Sequence, residues 1–255
     1  MNNEESKVSI ILPVHNAGAF LPSCLQSLFS QTHQNLEIIA IDDNSTDNSY
    51  AILRAMRKLD SRLKISRNVK NYGMAVTLNR CLKKAKGTLI AFMDTHDKAL
   101  VKRIEEQVTY LAQNPKIAAV GTQCTYIGQN NRKVAQSSFP IDHDTIYKKL
   151  LHGLSMQFET CMVHKERLPK DMLKFSVNVY PYIFADLFLK LSQYGQIANL
   201  SKFLHHSRAH KSVRHAKTLG KVSNSFYAIK MWAQSLSQYG DTPSLRSVVM
   251  PLLRT

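Results

Sequence analysis

The stretch Val8 to Ser49, VSIILPVHNAGAFLPSCLQSLFSQTHQNLEIIAIDDNSTDNS, decides the fold. It opens with VSIILPV (8–14), a short apolar, β-branched run of the kind that forms a parallel strand buried on both faces. FLPSCLQSLFSQ (20–31) then places Leu21, Leu25, Leu28 and Phe29 on one helical face, with Pro22 in the first turn, where a missing N–H costs nothing. LEIIAI (36–41) is a second strand. Asp42 and Asp43 follow at once, and NSTDNS (44–49) supplies cap residues for a helix over YAILRAMRKL.

The alternation continues downstream. LKIS (63–66) reads as a third strand, GMAVTLNRCLKKA (73–85) as a helix and TLIAFMD (88–94) as a fourth strand. RIEEQVTYLAQN (103–114) is another helix and IAAVGT (117–122) another strand. Such alternation predicts an α/β fold, a mostly parallel central sheet with helices on both faces. Ligands bind such sheets at the carboxyl ends of the strands. The polar groups at those ends are His15-Asn16, Asp42-Asp43 and Asp94-Thr95-His96-Asp97. Asp47 and Asp42 also read as loop acids that cap the next helix, whereas Asp94 comes straight off an apolar strand. The second half is less regular. MQFETCMVH (156–164) alternates like a strand, ADLFLKLSQYG (185–195) reads as a helix closed by Gly195, and QIANL (196–200) as a short strand. A long helix is expected over 219–238.

With 255 residues and 44% hydrophobic content the chain can bury a substantial core. Cys24, Cys81, Cys124 and Cys161 lie far apart, which argues against a zinc site or a disulfide framework and fits a reducing compartment. No run of 18 apolar residues is present and the first residues, MNNEESKVSI, carry no signal pattern, so a cytoplasmic location is expected. The net charge is +16, and half of it falls in residues 201–255, where nine Lys or Arg face only Asp241. A basic end implies phosphorylated substrates, anionic lipid or nucleic acid, or simply a solvated basic surface. No helix-turn-helix, aromatic RNA-binding motif or zinc spacing is visible, so no nucleic-acid partner is expected. Residues 242–255 combine Leu245, Val248, Val249, Leu252 and Leu253 with Arg246 and Arg254. That pattern suits peripheral contact with an anionic membrane at its inner face, or a short helix packed on the domain.

Residues 8–49, together with NYGMAVTLNRCLKKAKGTLIAFMDTHD (71–97), closely resemble the opening of family 2 glycosyltransferases of the GT-A fold. The match is most specific over 7–122 and thins towards residue 214. The resemblance implies a Rossmann-like GT-A domain over 1–214, with a nucleotide-binding half (7–122) and an acceptor half (123–214). Residues 215–255 then form a basic helical C-terminal extension. It further implies inverting transfer of a sugar from a nucleotide diphosphate, usually UDP, to the hydroxyl of a glycan, lipid-linked or other acceptor. Carried over by position, Pro13, Val14 and His15 contact the nucleotide at the end of the first strand. Asp43, with Asp42 beside it, accepts hydrogen bonds from uracil or ribose, and the loop Asn71-Tyr72-Gly73 approaches the nucleotide. Asp94 and His96 occupy the Asp-x-Asp positions. A divalent ion there can neutralise the charge that develops on a departing diphosphate. Because Mn²⁺ accepts imidazole more readily than Mg²⁺ does, His96 favours Mn²⁺, and Asp97 offers a replacement oxygen. His210, in SRAH, matches a family Arg-x-His segment near the diphosphate and joins the expected metal set, while Arg208 and Lys211 suit phosphate oxygens.

One departure stands out. The family's general base is an Asp, usually preceded by Glu or Asp, a few positions before a D-L-x-L-R-L helix. Here the helix is plain, DLFLKL (186–191), but Ile183 and Phe184 hold the two acidic positions. Neither can accept a proton. The expectations are therefore an active transferase that recruits Asp186 or Glu159 as base, or an inactive sugar-nucleotide-binding pseudoenzyme that serves as a partner or scaffold.

Overall fold

Strand β1 (Val8–Val14) forms over the expected residues and is buried at every position but Pro13. Its alternate side chains enter two different layers. Ile10 and Leu12 pack with Leu21, Leu25, Leu53, Ile104 and Val108, whereas Ile11 packs with Leu78, Cys81, Phe92 and Leu187. The first layer belongs to α1 (Leu21–Phe29), α2 (Ser49–Arg57) and α4 (Arg103–Gln113), and the second to α3 (Met74–Lys84) and α6 (Ile183–Leu191). Helices thus cover both faces of the sheet. The computed structural model describes residues 6–149, 155–169, 172–176 and 183–208. The expected helix 219–238, the basic extension and His210 lie outside them.

The remaining strands are β2 (Leu36–Asp42), β3 (Leu63–Arg67), β4 (Leu89–Phe92), β5 (Lys98–Ala99), β6 (Ile117–Ile127), β7 (Lys133–Gln136), β8 (Met162–His164) and β9 (Gln196–Arg208); a further helix, α5, spans His143–Lys149. Sheet order is β3-β2-β1-β4-β8-β6-β9-β5, with β7 hydrogen-bonded to β6. The parallel character holds across β3, β2, β1 and β4, and again between β6 and β9. Between those blocks β8 runs antiparallel to both β4 and β6. The segment read as one strand over 156–164 divides, because Phe158–Thr160 forms a 3₁₀ turn before β8 begins. The strand read over 196–200 extends instead to Arg208.

At the amino end of the sheet a buried polar clasp fixes β4 to β1. Ser9 Oγ donates to Glu37 Oε1 (2.7 Å) and accepts from the Gly87 amide (2.8 Å), while Glu37 Oε1 also accepts from the Lys86 amide. A Cβ at Gly87 would lie 2.6 Å from the Ser9 nitrogen, so this approach admits only glycine.

Candidate functional site

The loops leaving β1, β2 and β4 meet at the carboxyl ends of the parallel strands. The β1 and β2 loops are knitted by short polar side chains. Asn16 and Asn44 adopt positive φ (48° and 55°), which Asn tolerates better than most residues. The Asn16 amide donates to Ser45 Oγ, and Asn16 Oδ1 accepts from the Thr46 amide at 2.9 Å. Asp47 accepts from the amides of Gly18 and Ser49, so its role is the capping one read from sequence.

Asp43 is buried, and its carboxylate accepts from Asn68 Nδ2 (2.7 Å), the Tyr72 amide (2.9 Å) and the Gly73 amide (2.8 Å). A carboxylate offers about four acceptor positions. Asp43 is therefore chiefly the organiser of the 68–73 loop. Gly73, at φ 83°, turns that loop into α3. Asp42 is fully buried; Oδ2 faces Arg67 Nε (3.0 Å) and the Ser45 amide (3.1 Å), while buried Oδ1 has no partner among the described residues. His15 is exposed at the mouth. Nδ1 lies 3.0 Å from the Asp43 carbonyl and Nε2 3.2 Å from the Asn71 amide nitrogen, partners that assign the proton to Nδ1. Val14 is buried, and its carbonyl accepts from the Asp43 amide at 2.7 Å; Pro13 beside it is partly buried.

In the DTHD loop, Asp94 Oδ1 accepts from the His96 amide (2.7 Å) and faces His96 Nδ1 (2.8 Å). Asp97 turns the other way. Its Oδ2 meets His205 Nε2 at 2.8 Å and its Oδ1 accepts from the Arg208 amide at 2.8 Å. His205 Nδ1 lies 3.3 Å from Arg103 Nη1, and Arg103 Nη2 donates to the Phe92 carbonyl. Because a guanidinium can only donate, His205 accepts at Nδ1 and donates Nε2–H to Asp97. Burial holds the His205 imidazole well below its usual range, reinforced by the nearby Arg103 charge. Burial likewise pushes Arg103 down to about 10 and Asp97 well up, the second helped by Asp94. The loop thus rests on a buried Arg103–His205–Asp97 chain. His205 was given no role from sequence, and neither was Arg103; the signal was Arg103 and Gln107 at i,i+4 on the apolar face of α4, beside Ile104, Val108 and Leu111.

Arg208 does not present a free guanidinium to phosphate. Nε donates to the His96 carbonyl, Nη1 to the carbonyls of Gly128 and Gln129, and Nη2 to Asn131 Oδ1, with the group over the Phe20 ring at 4.7 Å. It ties the 128–131 turn to the DTHD loop.

The expected divalent ion finds a partial fit. Among the described residues no group of three His, Cys, Asp or Glu converges as an ion site. Asp94 and His96 lie together, Asp97 is engaged by β9, and His210 is outside the described chain. Asp186 is buried in an i,i+4 ion pair with Lys190 at 2.5 Å, a structural placement at the start of α6. Phe184 stacks on Phe158 (centroids 3.8 Å, 13°) and packs edge-on against Phe175. The position where the resemblance looks for a base is therefore part of an aromatic cluster. Glu159, next to Phe158, is partly buried, and burial followed by Asp97 and Asp94 pushes its carboxyl up to about 8.

This fold and crevice have known counterparts. The TarS 1–349 fragment of S. aureus in complex with UDP-GlcNAc superposes with a TM-score of 0.72 at 20% identity, covering 91% of this chain and 67% of that one. The mannosyltransferase PcManGT from Pyrobaculum calidifontis, in complex with GDP-Man and Mn²⁺, gives 0.67 at 17% identity, covering 97% and 68%. At these identities the likeness shows a shared GT-A fold. An uncharacterized glycosyltransferase of Haemophilus influenzae is 34% identical over 170 residues, 66% of this chain and 65% of the relative. The chain thus spans just under two thirds of that relative's length. The family model for glycosyl transferase family 2 matches residues 9–170, from the first strand through the DTHD loop and past β8. On that match, carried by more than half of its residues, the chain belongs to glycosyltransferase family 2.

Proposed function

We propose that this chain transfers a sugar, with inversion, from a UDP-sugar to a hydroxyl of a glycan or lipid-linked acceptor. The observation that carries the reading is the placement of Asp42, Asp43 and Asp94 at the carboxyl ends of β2 and β4, the two parallel neighbours of β1. Asp43 shapes the 71–73 loop against the nucleotide. Asp42 Oδ1, buried and unpartnered among the described residues, is the acceptor left for a nucleobase N–H. His15, with Pro13 and Val14, lines the mouth. The UDP-GlcNAc complex of TarS supports the choice of a uridine nucleotide.

Asp94 and His96 are the residues that would hold a divalent ion, with Asp97 acting through the loop and His210 a further donor. Such an ion supplies charge neutralisation for the departing diphosphate. The Mn²⁺ complex of PcManGT and the imidazole of His96 favour Mn²⁺ over Mg²⁺. Packing of Phe184 into the aromatic cluster favours a second reading, a nucleotide-sugar-binding pseudoenzyme, because the expected base position carries no carboxylate. Contact of the basic end with an anionic membrane remains part of the proposal for a lipid-linked acceptor.

The test is isothermal titration with UDP, GDP and ADP, each with Mn²⁺, Mg²⁺ or neither. UDP is expected to bind most tightly, with Mn²⁺ strengthening it more than Mg²⁺ does, and His96→Asp is expected to narrow that gap. A folded protein without affinity for UDP would remove the reading; equal affinity with and without ions would remove the metal.

A further inference from the structure

We propose that Glu159 is the general base of this glycosyltransferase, taking the proton of the acceptor hydroxyl during transfer. The inference rests on the transferase reading above. Its first support is topological. Because β8 runs antiparallel to β4, with Ala91 opposite Met162, the segment entering β8 lies at the carboxyl end of β4. The Phe92 amide donates to the Cys161 carbonyl at 2.9 Å, and Asp94 follows two residues later. Glu159 therefore lies at the same end of the sheet as the DTHD loop although 65 residues separate Asp94 from it in sequence.

The second support is orientation. Gln157 precedes Glu159 by two residues in the same turn, and its side chain lies near the Glu159 carboxyl. Gln157 is itself fixed, donating Nε2–H to Ser207 Oγ at 3.0 Å and accepting from the Tyr126 hydroxyl at 3.4 Å. Backbone placement is equally set, since Thr160 Oγ1 donates to the Gln157 carbonyl and accepts from the Thr122 amide. The third support is the Phe158–Phe184 stack, which brings Glu159 beside the start of α6, the element before which the base was sought. Asp186, the other carboxylate considered, is held by Lys190.

The titratable groups that act on Glu159 are Asp94 and Asp97 from the β4 exit loop and Cys124 and Tyr126 from β6, with Gln157 beside it in the turn. Burial, followed by the charges of Asp97 and Asp94, raises its carboxyl, the direction that suits a proton acceptor. In the reaction the acceptor oxygen bonds to the anomeric carbon as its proton passes to Glu159. The anomeric C–O bond to the diphosphate breaks, and its electron pair leaves with the nucleoside diphosphate. Glu159 then returns the proton to solvent.

The experiment compares natural protein, Glu159→Gln and Glu159→Asp for UDP or GDP release from UDP-GlcNAc, UDP-glucose and GDP-mannose, with water as acceptor, between pH 6 and 9. UDP titration and thermal melting accompany each variant. Glu159→Gln is expected to lower the rate by roughly 10²–10⁴-fold with UDP affinity unchanged. Glu159→Asp, which keeps the carboxylate, should retain part of the rate, and it carries the comparison if the Gln variant does not fold. An unchanged rate in Glu159→Gln, or UDP binding without release from any donor, would overturn the assignment. Absence of UDP binding to the natural protein would overturn the transferase reading as well.

Discussion

Replacing Asp43 by Asn changes one atom and removes one charge, yet it should disturb the 68–73 loop at the proposed nucleotide site. The natural carboxylate accepts from Asn68 Nδ2, the Tyr72 amide and the Gly73 amide, all within 2.9 Å. An amide in its place keeps one oxygen and turns an NH₂ group towards donors, so one loop amide faces another donor. Hydrogen bonds to charged groups contribute about 1.5–3 kcal/mol each. Tyr72 and Gly73 are partly exposed, so water recovers some of the loss, whereas Asn68 is buried and cannot be rehydrated. A net cost of about 2–3 kcal/mol follows from losing the charge on these bonds with partial recovery. For a domain of this size, melting falls by roughly 2–4 °C per kcal/mol, so a drop on the order of 5–10 °C is expected. Loosening of residues 71–73 should also weaken UDP by about tenfold, equivalent to about 1.4 kcal/mol. Melting by calorimetry and titration with UDP read the two effects separately. A variant that melts within a degree of the natural protein and binds UDP equally well would refute the account of Asp43 as organiser of the loop.

Arg103→Met should cost about 3–5 kcal/mol, because it leaves the Phe92 carbonyl and His205 Nδ1 without their buried donor; calorimetry measures it, and a loss below 1 kcal/mol would mean the network is incidental. Phe184→Asp should fail to create a working base and should instead destabilise by at least about 3 kcal/mol, since it removes a stacked ring and places a carboxylate between Phe158 and Phe175. Higher donor turnover in that variant, with melting unchanged, would show that position 184 faces the acceptor after all.

The first half of the fold was legible because its strands are buried on both faces. Ile10, Ile11 and Leu12 read as an apolar run since one sheet face meets α1 and the other α3. What escaped the reading has equally physical causes. β5 is two residues long, and β7 is exposed at every position, so neither carries a burial pattern. β9 was cut short at residue 200 because SKFLHHSR looks polar, yet His205, Ser207 and Arg208 are buried through hydrogen bonds rather than through apolar character. The acids were found where they stand, but not what they hold. Sequence position shows that Asp97 follows a strand; it does not show that His205, 108 residues later, accepts the job of anchoring it. Arg208 was assigned to phosphate on its neighbourhood in sequence, and its geometry assigns it to carbonyl oxygens.

The long β9 strand also sets an order of assembly. Within residues 8–67 the β1–β2 and β2–β3 pairings join strands consecutive in the chain, and β4 completes this block by pairing with β1, all before residue 93 is needed. The DTHD loop has no such independence, since the Asp97 carboxylate bonds to His205 and the Arg208 amide at the far end of β9. A nascent chain can therefore shape the loops around Asp43 long before it can shape the loop around Asp94. The proposed nucleotide pocket would then take shape on the ribosome before the proposed diphosphate site, and ligand present during synthesis would meet the first without the second.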